Sequence, residues 1–209
     1  MAKSKKSKKG EVAENMVKGS LPSPLQEKFE KEIKPKVMEK FGIRNVMAAP
    51  SLEKIVVNVG VGKQLENNKL PAHVKETVLD TLSTITGQKA VVIRAKRSVS
   101  NFKVREGAEA SMKVTIRRDR MWHFLSRLIH LACPRIKDFR GLPNTSFDKF
   151  GNYSMGIQEQ GVFPEINMAE VNFTHGMHIN IVMKNSNPEI SRFVLQELGM
   201  PFKREEDAA

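Results

Sequence analysis

From Ser111 to Arg117 the side chains alternate without a break: Met112, Val114 and Ile116 are apolar, while Ser111, Lys113, Thr115 and Arg117 are polar. Successive side chains of a β-strand point to opposite sides, so this stretch has one face for a core and one for water. Such a strand belongs to an antiparallel sheet that is covered on one face and open on the other. Leu52–Val59 has the same form, with Ile55, Val57 and Val59 on one side and Val56 and Asn58 on the other. So does Met177–Lys184, where Met177, Ile179, Ile181 and Met183 alternate with His178, Asn180 and Lys184. Lys89–Arg94 and Tyr153–Gln160 complete the expected strands.

Helices must then seal the apolar face. Ser23-Pro24 suits a helix start, and Leu25, Phe29, Ile33, Val37 and Phe41 follow at intervals of four, with Pro35 expected to kink the run. Pro71–Thr86 places Val74, Val78, Leu82 and Ile85 on one side and stops at Gly87. Asp119 reads as the cap of a third helix, whose inward residues Trp122, Leu125, Leu128, Ile129 and Ala132 run up to Pro134. Asn187-Pro188 opens a last one, with Ile190, Phe193, Val194 and Leu198 inward and Gly199 and Pro201 as stops. The order α-β-α-β-β-α-β-β-α specifies an α+β open sandwich: a mostly antiparallel sheet, helices on one face, the other exposed. The expected organisation is a disordered basic arm over residues 1–22, a single domain over 23–204 and a short acidic tail over 205–209.

Charge says what the open face is for. Residues 89–120 hold ten basic and three acidic side chains, a +7 excess out of +12 for the whole chain. Arg94, Lys96, Arg97, Ser98, Lys103 and Arg105 lie in the loop between two strands, and Lys113 and Arg117 lie on the strand that follows. Asn58, Lys113, Thr115 and Arg117 mix cations with neutral hydrogen-bonding groups on one surface. A polyanion fits such a surface, and RNA is the leading candidate. Aromatic residues make up 6% of the chain, too few for base stacking as the main binding mode, so phosphate contacts and recognition of RNA shape fit better. The arm has Lys3, Lys5, Lys6, Lys8 and Lys9, a polycation suited to the same partner.

Other chemistry is poorly served. Gly60-Val61-Gly62-Lys63 follows a strand, but a phosphate loop needs glycine where Val57 stands and Ser or Thr where Gln64 stands. The five histidines make no close pair with cysteine or carboxylate at metal spacing, and Asp138, Asp148, Glu159 and Glu165 are scattered. No enzyme, cofactor or metal is expected. Cys133, the single cysteine, sits in apolar surroundings and reads as a buried structural thiol in a reducing compartment. No apolar run approaches a membrane span, and the lysines at the start precede no apolar signal region, so a soluble, cytoplasmic protein with no membrane partner is expected.

Several ordered stretches carry a resemblance. Leu82-Ser83-Thr84-Ile85-Thr86-Gly87-Gln88, then Val91 and Arg94-Ala95-Lys96-Arg97-Ser98, resembles the signature of the L five (L5) family of large-ribosomal-subunit proteins. Leu52-Glu53-Lys54-Ile55, Asn58-Val59-Gly60-Val61-Gly62 and Pro134-Arg135-Ile136-Lys137-Asp138-Phe139-Arg140-Gly141 also fit, as do Gly151 to Ile157, Phe163-Pro164-Glu165-Ile166 and Gly199-Met200-Pro201-Phe202. The likeness spans roughly residues 24–204 and looks bacterial in type. It implies a structural constituent of the large subunit that binds 5S rRNA and helps attach it in the central protuberance, through the sheet face. By motif position it implies RNA contacts from Asn58, Gln88 and Thr115, two of which the strand alternation also picks out. It further implies that the loop with Arg94, Lys96 and Arg97 reaches toward the peptidyl-site tRNA. The stretch from Glu159 to His178 would face a small-subunit protein across an intersubunit bridge, with other large-subunit components as neighbours.

Overall fold

The computed structural model describes residues 23–65, 69–102, 104–169, 171 and 173–203. The expected basic arm over residues 1–22 and acidic tail over 205–209 lie outside the described residues. Five strands form one antiparallel sheet: β1 (Ser51–Gly60), β2 (Val91–Arg94), β3 (Glu109–Ile116), β4 (Tyr153–Ile157) and β5 (Met177–Lys184). Their spatial order is β2-β3-β1-β5-β4, which makes β1 the central strand. The sheet is open, and the class is α+β as the patterning requires.

Burial follows the alternation. Ile55, Val57, Val59, Met112, Val114, Ile116, Ile179 and Ile181 are each at most 1% exposed and form one wall of a single core. Burying an aliphatic side chain of this size is worth about 1.5–3 kcal/mol, so these rows determine which way every strand faces. The helices supply the opposite wall. Helix α2 (Ala72–Thr86) packs on β3, and α3 (Arg118–Arg127) packs on β1 and α2. The first helical run, α1 (Pro24–Lys28, Phe29–Ile33 and Lys34–Phe41), packs on α3, with the Phe29 and Trp122 rings 5.1 Å apart, and also on α4 (Pro188–Glu197).

Prolines shape two helices in the same way. Helix α1 runs Pro24–Lys28, widens to a π turn over Phe29–Ile33 and continues as Lys34–Phe41. Helix α3 passes into a π turn over Leu128–Ala132 and then a tight turn over Cys133–Arg135. Pro35 and Pro134 lack the N–H for the ordinary bond four residues back, and their rings crowd that carbonyl. Opening the preceding turn relieves the clash; α1 carries on past Pro35, whereas α3 ends one residue after Pro134, as the sequence suggested.

Three local expectations are corrected. Asp119 is not a cap: α3 begins at Arg118, with Arg117 at the capping position and Asp119 in the first turn. Ser23 holds the capping position of α1 in extended backbone, but its hydroxyl makes no capping hydrogen bond. Strand β4 ends at Ile157 and not Gln160, because Gln160–Val162 turns inward as a single tight helical turn.

Candidate RNA interface

The face of the sheet turned away from the helices carries Val56, Asn58, Lys113, Thr115, His178, Asn180 and Ser154. The pairing registers join them into rows. Val91 lies opposite Lys113, Lys113 opposite Asn58, Asn58 opposite His178, and His178 opposite Gly156, so one row crosses all five strands. A second runs Thr115–Val56–Asn180–Ser154. Asn58 and Thr115 are half-buried by their neighbours alone, and Lys113 and His178 are exposed. Amide, hydroxyl, ammonium and imidazole groups thus stand among the apolar side chains of Val56, Val91, Ile93 and Val182. Such a mixture suits sugar hydroxyls and base edges as well as phosphate.

The face is less cationic than the alternation suggested. Arg117 makes an ion pair of 3.4 Å with Glu53, which also pairs with Lys54 at 3.4 Å. Those contacts, led by the hydrogen bond from Lys54, hold the Glu53 carboxyl below the usual carboxylate range. Gln88 is exposed beyond the face, after the left-handed Gly87 that ends α2, with its backbone hydrogen-bonded to the Thr86 hydroxyl. His178, Asn180 and Ser154 join the surface, although sequence reasoning did not single them out. Their signal was the same period-two alternation; what was lacking was the pairing of β5 with β1.

The positive charge gathers in the segment joining β2 to β3. This is an ordered hairpin that continues the two strands: the Ala95 amide donates to the Ala108 carbonyl at 2.8 Å, and Val99 and Val104 exchange hydrogen bonds of 2.9 and 3.2 Å. The Ser98 hydroxyl accepts from the Glu106 amide at 2.9 Å and braces the stem. Arg94, Lys96, Arg97 and Arg105 are exposed along it, while Lys103 lies outside the described residues. At the tip, Ser100–Phe102 makes one tight turn and leaves Phe102 76% exposed.

The segment between β4 and β5 is bolted down by Gln160, which is fully buried. Its amide donates to the Phe173 carbonyl at 2.8 Å, and its oxygen accepts from the His175 amide at 2.6 Å. Glu165 in the same segment pairs with Arg127, whose guanidinium also donates to the Ile85 carbonyl at 2.8 Å. Glu165 therefore ties the segment to the helical layer. Cys133 is fully buried and its thiol is pushed up to about 11 by that burial, which leaves it inert at neutral pH. Among the described residues no group of His, Cys, Asp or Glu could hold a metal ion, and no helix is long and apolar enough to cross a membrane.

Comparison with known proteins agrees with this geometry. The pattern of the family described as ribosomal protein L5 matches residues 45–105, and that of the C-terminal region of the same ribosomal family matches 109–202. A large ribosomal subunit protein uL5 from Caldanaerobacter subterraneus is 46% identical over 182 residues, covering 87% of this chain and 99% of the relative. Those from Bdellovibrio bacteriovorus and Clostridium tetani are 47% and 48% identical, covering 86% and 85% of this chain and 98% and 97% of theirs. The boundary between the two patterns falls in the basic hairpin, so β1, α2 and β2 belong to one half and β3 to β5 to the other. An open sheet with helices on one side, a basic hairpin at its edge and identity near one-half along almost the whole of these relatives lead to one conclusion: the chain belongs to the ribosomal protein L5 family, in its bacterial form.

Proposed function

We propose that the chain fastens 5S rRNA to the large ribosomal subunit, in the central protuberance, with the RNA lying on the open face of the sheet. As a member of its family it is a structural constituent of the large subunit and not an enzyme. The observation that carries the reading is the row Lys113–Asn58–His178, which no helix among the described residues shields and which adjoins the basic hairpin. Asn58, Lys113 and Thr115 hold the RNA in this reading. Gln88 extends the contact from beyond the face, and Arg117 contributes at the edge where it meets Glu53. The hairpin with Arg94, Lys96, Arg97, Ser98, Lys103 and Arg105 reaches toward the peptidyl-site tRNA. The stretch from Glu159 to His178 meets a small-subunit protein at an intersubunit bridge. Residues 23–204 act as one domain, with the lysine-rich arm as an added contact to RNA, in a protein that is ribosome-bound in the cytoplasm.

The test is affinity. Removing a hydrogen-bonding group that is buried in the complex costs about 1–3 kcal/mol. Asn58→Ala and Thr115→Ala are each expected to weaken binding of 5S rRNA by that amount in a filter-binding assay. Wild-type affinity from both variants would refute the role of the sheet face.

A further inference from the structure

Where β1 and β4 finish and β5 begins, the hairpin tip bends beside the open face and the two enclose a cleft of about 740 Å³. That size suits a small ligand, since binding pockets run from about 300 to 1,000 Å³. Phe102, Lys63, Gln158 and His178 are among the residues that line it. Gly60, Gly62, Gly156 and Gly176 line it as well, so much of its surface carries no side chain. A Cβ built on Gly60 would meet no heavy atom within 4 Å, and one on Gly156 would meet only the His178 ring, at 3.7 Å. The fold therefore does not need glycine at Gly60 and Gly156, and their bareness leaves space above the backbone.

Each group suits one part of a nucleotide. An exposed aromatic ring on a braced hairpin offers a flat apolar surface to a base. The Gln158 amide has donors and an acceptor for a base edge, the imidazole adds another hydrogen-bonding group, and the Lys63 ammonium suits a phosphate. His178 also belongs to the row Lys113–Asn58–His178, so the cleft is continuous with the surface proposed to hold RNA. Paired bases keep their edges and faces within the helix, whereas unstacked ones are free to enter a cleft of this kind.

We propose that the cleft receives one unpaired nucleotide of the bound RNA, with its base stacked on Phe102, its edge on Gln158 and His178, and its phosphate on Lys63. The inference rests on the RNA-binding reading of the sheet face and adds a specific subsite to it. It also divides the hairpin into two working parts, with Phe102 at the tip facing the rRNA site and the exposed cations Arg94, Lys96, Arg97 and Arg105 along the stem.

The test uses the full-length chain with two RNAs, 5S rRNA and a fully paired RNA duplex as control. Phe102→Ala is expected to weaken 5S rRNA binding roughly ten-fold, and Phe102→Trp to restore it, because any aromatic ring stacks on a base. Gly60→Val places a side chain in the cleft and is expected to lower the affinity similarly while leaving the melting temperature unchanged. Binding to the duplex is expected to stay at its wild-type level throughout. If Phe102→Ala and Gly60→Val bind 5S rRNA like wild type while Thr115→Ala does not, the cleft is empty and the sheet face alone holds the RNA. Equal losses on both RNAs would also overturn the proposal, since an unpaired nucleotide would then not be the ligand. If the wild-type chain failed to bind 5S rRNA at all, the wider reading would fall and the subsite with it.

Discussion

Gly151 and Gly60 show how one residue type serves two ends. Gly151 turns the chain at φ +77°, where a Cβ would stand 2.5 Å from the Ser191 hydroxyl and 2.9 Å from the Asn187 carbonyl oxygen. Asn187 and the fully buried Ser191 hold the start of α4, so neither can give way cheaply. Gly151→Ala combines a strained backbone with a clash and is expected to cost about 1–3 kcal/mol, read as a fall in melting temperature. An unchanged melting temperature would show that the turn relaxes freely. His175 makes a different kind of statement. Burial holds its imidazole below the usual histidine range against a weak opposing pull from the Phe173 carbonyl, and neither ring nitrogen has a well-aligned hydrogen bond. The unfolded chain takes up a proton near pH ~6.5 while the folded one resists it. Stability is therefore fully present above that pH and falls as the pH drops toward the lower folded value. His175→Leu, which fills the site without a titrating group, is expected to flatten the dependence of melting temperature on pH between ~7 and ~5. The same slope in both proteins would exclude His175 as its source.

At the scale of elements, the hairpin between β2 and β3 separates charge from shape. Its stem is ordered by backbone pairing and by the Ser98 hydroxyl, so replacing its cations leaves its path intact. Replacing Arg94, Lys96 and Arg97 together with alanine is expected to leave binding of isolated 5S rRNA within about two-fold and to abolish crosslinks to peptidyl-site tRNA on the ribosome, because rim charges steer and position more than they hold. A collapse of rRNA affinity would place the stem on the rRNA instead. Elements were also where the sequence was easiest to read. The period-two pattern of β1, β3 and β5 and the four-residue spacing of α1 and α2 are local, and these five elements stand where those patterns put them. The π turns before Pro35 and Pro134 were hidden, because a proline marks a disturbed hydrogen bond without saying whether the helix breaks or widens. The inward turn of Gln160 was hidden as well, since its partners Phe173 and His175 lie 13 and 15 residues away.

For the molecule as a whole, the decisive fact is the strand order β2-β3-β1-β5-β4, which no local pattern contains. Alternation alone reaches Asn58, Lys113 and Thr115. Only the order brings His178 and Gly156 onto the same row and carries the surface across to β4, with Phe102 at its end. The net charge of +12 suits a polyanion, and in the proposed reading the open face of the sheet gives that attraction a place. Lysine acetylation of the chain alone and in complex with 5S rRNA tests this most directly, because lysines stand on both sides of the molecule. Lys113 points from the open face, while Lys31 and Lys36 are exposed on α1 in the helical layer. Binding through the sheet face predicts that Lys113 becomes strongly protected on the RNA while Lys31 and Lys36 react as before. Protection of the α1 lysines with Lys113 still reactive would place the RNA on the helices and contradict the account.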